Sequence, residues 1–341
     1  MQRGANHDEK MLFVAPAINR GLSKSANEKS HAKSGSVNNS MSKVAVFQSY
    51  HTKAPMFKSE WCIPIQLTRD GTSRLCDLQD NGGDSIADRN VWYSELSGIY
   101  WVWKNWLPMH PECEYVGFCH YRRGLDPLNA AETNKLYCPK SLSDIQTVLS
   151  ATDEAVYKAI EDFDIILPEH VSGFSYETQM GRDGEKRREA DFCCNYIDSQ
   201  FPEYKNALVK ARTTMPYMAC CFIMRKALFV EYATWIFSIM FALESQTLSV
   251  WKSFICYQDI RMPAYINEWL INVWYQKQRD QGARIKEVGS WLYLSSAGRR
   301  SRFLMTAAKN LVPSFVICWL NRKAANSRLL KALKGFFYKT V

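Results

Sequence analysis

The run YVGFCHYRR, residues 115–123, decides how the chain is read. Its first five residues are apolar and β-prone, long enough for a buried strand and too short for a buried helix. His120, Tyr121, Arg122 and Arg123 follow at once. A hidden strand thus hands an imidazole and two guanidiniums to its carboxyl end, where an open α/β sheet binds ligands. Apolar runs of similar length lie on either side: residues 43–50 (KVAVFQSY), 163–168 (FDIILP), 219–224 (ACCFIM) and 285–294. Helical periodicity fills the intervals. Ser94 is placed to cap a helix through residue 105, along which Leu96, Ile99, Tyr100, Trp103 and Trp106 share one stripe. Residues 151–161, a long aromatic segment from Lys226, and residues 257–277 also read as helical, whereas residues 51–89 read as loop. Strands separated by helices predict an α/β fold, one mixed sheet flanked by helices.

Composition fits that expectation. With 47% hydrophobic, 13% aromatic and 23% charged residues among 341, the chain is neither disordered, collagen-like nor coiled-coil. Its eleven cysteines include the adjacent pairs Cys193-Cys194 and Cys220-Cys221 but no C-x-x-C spacing, which points to reduced thiols and away from a disulfide framework or zinc site. The net charge of +9 is concentrated at one end, because residues 297–341 hold ten basic side chains and no acidic one. Residues 1–42 are polar and read as a disordered extension, with Met41 as an alternative start to Met1. The apolar window 227–243 contains Glu231 and Thr234 and reads as a core helix, not a membrane span. Three regions result: residues 1–42, a folded domain over 43–296 and a basic tail over 297–341.

Two guanidiniums at a strand end suit a diphosphate or a carboxylate, since each forms a bidentate fork with anionic oxygens. Ion pairs with acidic neighbours are the alternative. At this point the sequence resembles a bacterial domain-of-unknown-function family of capsule and exopolysaccharide gene clusters, whose members are regarded as glycosyltransferases. The likeness covers about residues 43–294. It rests on ordered motifs: NVWYSELSGIYWVWKN (90–105), YVGFCHYRR (115–123), FDIILP (163–168), FIMRK (222–226) and RMPAYINEWL (261–270).

The resemblance implies a single GT-A-like, Rossmann-like sheet. It also implies a nucleotide-sugar donor, UDP-galactofuranose or another UDP-hexose, and a lipid-linked or growing surface glycan as acceptor. Three positions depart from the family pattern: Cys220 where relatives carry Asn, Gly124-Leu125 where they carry an aromatic pair, and Trp269 where an Arg is usual. Many GT-A enzymes end the equivalent strand in an acidic D-x-D that holds a divalent cation. Here His120, Tyr121, Arg122 and Arg123 take that place. The expectation is that cationic side chains neutralise the diphosphate and that no metal or other cofactor is used. The literal D-x-D, Asp162-Phe163-Asp164, precedes its strand instead of following it.

A catalytic base requires a carboxylate near the acceptor. Asp259 and Glu268 are the candidates, Asp259 as base and Glu268 as acceptor or structural partner. Nine residues apart, they lie on opposite faces of one straight helix, so both serve one pocket only if the helix begins after Asp259, a break that Pro263 favours. Ion pairing with neighbours such as Arg261 is the bland reading of both. By fold analogy, Ser49, Tyr50 and His51 at the end of the first strand meet the nucleotide, with Asn90, Lys104 and Asn105 as weaker candidates.

The tail reads as an amphipathic helix. From residue 328 to 337, Leu329, Leu330, Leu333, Phe336 and Phe337 fall within about 120° of arc, opposite Arg328, Lys331 and Lys334. Docking on an anionic membrane suits a lipid-linked acceptor and predicts a peripheral protein on the cytoplasmic face of the cell membrane. Nucleic acid is not expected, since no recognised motif accompanies the charge. Two other readings stay open: an inactive membrane-docked scaffold of the same fold, and a sugar-phosphate transferase.

Overall fold

The structure, a computed structural model, describes residues 42–69, 71–133, 135–139, 141–170, 185–214, 216–217, 220–253 and 261–293. The expected N-terminal extension, Asp259 and the basic tail fall outside the described residues.

At the centre of the sheet are β1 (Val44–Tyr50) and β4 (Tyr115–His120), parallel and in register from Val44↔Tyr115 to Ser49↔His120. All seven residues of β1 are buried, because both faces are covered. Val44 and Val46 join one core cluster, and Ala45 and Phe47 the other. β1 continues outward to parallel β2 (Cys62–Gln66) and β3 (Leu78–Gln79). These two strands lie in the stretch read as loop. β3 is only two residues long and carries no period, so ladder pairing alone defines it.

After β3 the chain forms α1 (Asn90–Tyr93) and α2 (Glu95–Trp101), followed by a π-helical turn at Val102–Trp106. The stripe expected for this region is largely buried, but the helix does not start at Ser94. It begins four residues earlier and breaks at Ser94, whose φ of 49° is left-handed and whose side chain makes no capping bond.

On the other side of β4 the chain folds back immediately. Tyr121 and Arg122 form a two-residue turn into β5 (Arg123–Asp126), so the arginines belong to a hairpin and not to a loose loop. β6 (Leu136–Tyr137), α3 (Leu142–Leu149) and α4 (Asp153–Ile160) lead to β7 (Ile165–Pro168). Then come α5 (Glu185–Gln200), α6 (Lys205–Ala211), β8 (Phe222–Arg225), α7 (Lys226–Ser253), α8 (Met262–Asp280) and β9 (Ile285–Leu292).

β8 is antiparallel to both β4 and β7, and β7 is parallel to β9, so the main sheet runs β3-β2-β1-β4-β8-β7-β9 with one reversed strand. The far half of β9 bends away to pair with β5. Gly117 permits the close approach of β4 and β8, since a Cβ there would overlap the Phe222 carbonyl. Gly124 likewise lies against the Trp291 ring, 2.5 Å from where a Cβ would stand. An aromatic side chain at residue 124 would have no room at that point.

Among the described residues one helix, over Lys226–Thr247, is long and apolar enough to cross a membrane. Phe229, Tyr232, Ile236, Phe237, Ile239, Met240 and Leu243 on it are buried within the domain, the packing of a core helix. Helix α8 starts at Met262 with a proline in its first turn, so it begins after residue 259.

Candidate functional site

β1 and β4 are neighbours, yet the chain leaves them in opposite directions across the sheet. Such a reversal opens a crevice at the carboxyl ends of the two strands. His51 lies at the end of β1, and His120, Tyr121, Arg122 and Arg123 lie at the end of β4 and in its hairpin, all partly exposed, whereas the candidates Ser49 and Tyr50 are buried at 1% and 0% exposure. Backbone bonds tie the two ends together: Tyr121 N donates to Ser49 O at 3.0 Å, and Ser49 Oγ donates to Cys119 O at 3.0 Å. Tyr50 is fully buried, with its hydroxyl beside Gln48 Oε1 at 2.9 Å and Pro55 O at 3.0 Å, so its polar atom is committed to the fold.

Four rings gather here. His51 lies 5.5 Å from His120 and 5.3 Å from Tyr121; His120 is 4.2 Å from Tyr121, and Tyr50 is 5.9 Å from Tyr121, all between centroids. Both imidazoles are held neutral. Burial lowers His51 to about 4, and the charges of Arg69, Arg261 and Arg122 push the same way. Burial lowers His120 to about 2, helped by His51, Arg122, Arg123 and Arg261. Four guanidiniums from three segments therefore act on two uncharged histidines.

Arg122 and Arg123 are half-buried, and among the described residues no carboxylate lies within ion-pairing distance of either. Arg122 stacks 5.1 Å over the Tyr121 ring, and its carbonyl accepts from Tyr293 N at 2.8 Å. Arg69, just beyond β2, donates through Nε to Asn90 Oδ1 at 2.7 Å. Arg261 donates through Nε to Ser94 Oγ at 3.0 Å and has Glu95 Oε2 3.8 Å from Nη2.

Glu268 lies two turns along α8 from Arg261, on the side of Cys220. Burial raises the Cys220 thiol well above its usual range, and the Glu268 and Glu95 carboxylates add to the shift. Cys220 is left-handed at φ 46°, a conformation that suits an asparagine better than a cysteine. Asn267 Nδ2 donates to its Sγ at 3.4 Å, and Asn267 Oδ1 accepts from Tyr232 OH at 2.7 Å. Trp269 is buried in the core, so an Arg there would have to leave it.

The candidates on the aromatic helix are used differently. Asn90 is 1% exposed, with its amide donating to Ser94 O at 3.1 Å and Ser97 Oγ at 2.7 Å, and it meets the site through Arg69 and Ser94. Asn105 bonds both backbone groups of Asp84, at 2.9 and 2.7 Å. Lys104 Nζ sits 3.5 Å over the Trp103 ring. Lys104 is nine residues beyond Glu95, about 13 Å along a helix at 1.5 Å per residue, too far to share its pocket.

A divalent cation needs converging oxygen donors. Among the described residues no three of His, Cys, Asp and Glu converge, and the end of β4 offers cations and neutral imidazoles. Asp164 of the D-x-D is at the opposite end of the sheet, where it accepts from Arg225 Nε at 3.0 Å and Arg284 N at 2.8 Å. Sequence reasoning missed Arg69, Glu95 and Arg261 as site residues. Glu95 and Arg261 stand inside quoted motifs, whereas Arg69 sits in the stretch read as loop and carries no local signal.

No curated protein sequence matches the chain. Its structure is similar to the apo structure of the bifunctional glycosyltransferase WbbM, with a TM-score of 0.62 and 24% identity, over 74% of this chain and 46% of that one. The two share a fold, and this chain spans less than half the length of WbbM. The sequence profile of a domain of unknown function, DUF4422, matches residues 45–279, which take in the crevice, the hairpin and α8. That span is more than two thirds of the chain, and the protein is thereby a member of the DUF4422 family.

Proposed function

We propose that this protein transfers a hexosyl group from a nucleotide diphosphate-sugar to a glycan acceptor, on a sheet of the GT-A class. One observation carries the reading: Arg122 and Arg123, without carboxylate partners among the described residues, stand with Arg69 and Arg261 around a neutral histidine pair at the switch point of the sheet. Against these four guanidiniums the described part of the site sets two carboxylates, Glu95 and Glu268. Among the described residues the arginines outnumber the carboxylates, a charge complementary to a sugar nucleotide's diphosphate. The His51, His120 and Tyr121 rings offer faces on which a nucleobase stacks.

Transfer forms a bond from an acceptor oxygen to the anomeric carbon and breaks the bond from that carbon to the β-phosphate oxygen. The guanidiniums stabilise the charge that gathers on the departing diphosphate. A carboxylate takes the acceptor's proton. Glu268 is the described candidate at the crevice, and Asp259, which precedes α8 by three residues, is the other. The tail over residues 297–341 docks the enzyme on an anionic membrane surface at the cytoplasmic face, where a lipid-linked acceptor is presented.

The test is donor binding and turnover. A panel of nucleotide sugars with the purified chain should give one donor that raises the melting temperature and is consumed with release of a nucleoside diphosphate. Release of a nucleoside monophosphate would show sugar-phosphate transfer instead. No stabilisation by any donor would remove the reading.

A further inference from the structure

The break between α1 and α2 is an unusual piece of backbone. Ser94 has φ 49° and ψ −122°, a region costly for any residue with a Cβ, and it is 2% exposed. A continuous helix across residues 90–101 would avoid that cost. The break turns Ser94 Oγ toward Arg261, where it accepts from Nε at 3.0 Å, and brings the Glu95 carboxylate to 3.8 Å from Nη2 of the same guanidinium. Two acceptors on one planar group fix its orientation.

The other end of the same short segment holds a second arginine. Asn90 Oδ1 accepts from Arg69 Nε at 2.7 Å, while the Asn90 amide donates to Ser94 O and Ser97 Oγ. Ser97 Oγ in turn donates to Asp80 Oδ2 at 2.7 Å. Asn90, Ser97 and Asp80 are each at most 1% exposed, so the network is rigid and its geometry is set. Among the described residues Nε is the only guanidinium nitrogen of Arg69 with a hydrogen-bond partner. Its outer edge remains for an oxyanion.

We propose that Ser94 and Asn90 are positioning residues that present Arg261 and Arg69 as two further diphosphate-binding side chains, completing the set begun by Arg122 and Arg123. This rests on the diphosphate reading of the crevice. The strained turn exists to aim charge, and the helix is sacrificed for it.

The experiment uses the full chain and inorganic pyrophosphate, with UDP as a second probe, by titration calorimetry. Glycine accommodates φ 49°, so Ser94→Gly relieves the backbone while removing the hydroxyl. It should unfold no earlier than the parent yet bind pyrophosphate about tenfold more weakly. Arg261→Ala should show a comparable loss, and Ser94→Gly added to Arg261→Ala should weaken binding no further, because the serine acts through that arginine. Unchanged affinity in Ser94→Gly, or losses that add in the double variant, overturns the proposal. Pyrophosphate binding abolished by Arg122→Ala but untouched by Ser94→Gly overturns this inference alone. A parent chain that binds neither probe overturns the diphosphate reading with it.

Discussion

The two crevice histidines are packed among arginines, and that arrangement has a cost in acid. Both have folded-state pKa values below the ordinary 6.5, His51 at about 4 and His120 at about 2. The unfolded chain binds their protons first, so their contribution to stability is intact above about pH 6.5 and is lost as pH falls toward 4 and below. Urea unfolding between pH 7 and pH 4 should show a steady loss that is shallower in His120→Asn; parallel curves for the two proteins would contradict it. Arg122→Ala should weaken nucleoside diphosphate binding by about 2 kcal/mol or more, roughly 30-fold, and Arg122→Lys should recover only part, because an ammonium lacks the planar fork. Equal affinity in the alanine variant, by calorimetry, would remove Arg122 from the site. At this scale the sequence was partly legible. His120, Arg122 and Arg123 announce themselves at the end of an apolar run, while Arg69 follows an unremarkable strand and is recruited by Asn90, 21 residues away in sequence.

The helices and strands tell a similar story. Buried strands such as β1, β4 and β7 are legible because covering both faces demands unbroken apolar runs. β2, β3 and β5 are short or half-covered and owe their existence to the ladder beside them. The split of α1 from α2 was illegible for another reason: a left-handed serine leaves no mark that a glycine would have left. Gly124 is the converse, a glycine whose purpose appears only when Trp291 is laid against it. Gly124→Ala should cost about 1–3 kcal/mol in chemical denaturation, as overpacking does. A change within experimental error would mean that the Trp291 ring moves aside freely.

For the molecule as a whole, the alternation of strands and helices was enough to foresee a mixed sheet, but not its order. That order depends on β8 inserting, reversed, between β4 and β7, and one-dimensional pattern does not encode which neighbour a strand selects. Because the proposed charge balance is met by arginine, turnover should persist in excess EDTA and gain little from Mn²⁺ or Mg²⁺. Loss of turnover with chelator and its return with metal would contradict the balance. The proposed tail is tested by co-sedimentation with vesicles of anionic lipid, where Leu330→Asp with Phe336→Asp should release the protein and leave donor binding intact. Sedimentation unaffected by the double variant would assign the tail another role.

The hydrogen bond from Tyr293 to the Arg122 carbonyl, 2.8 Å long, has a mechanical meaning. It moors the end of the sheet's last strand to the turn that carries the guanidinium. A tug on the chain where it leaves β9 is therefore transmitted, through a single peptide group, to the turn proposed to grip the diphosphate.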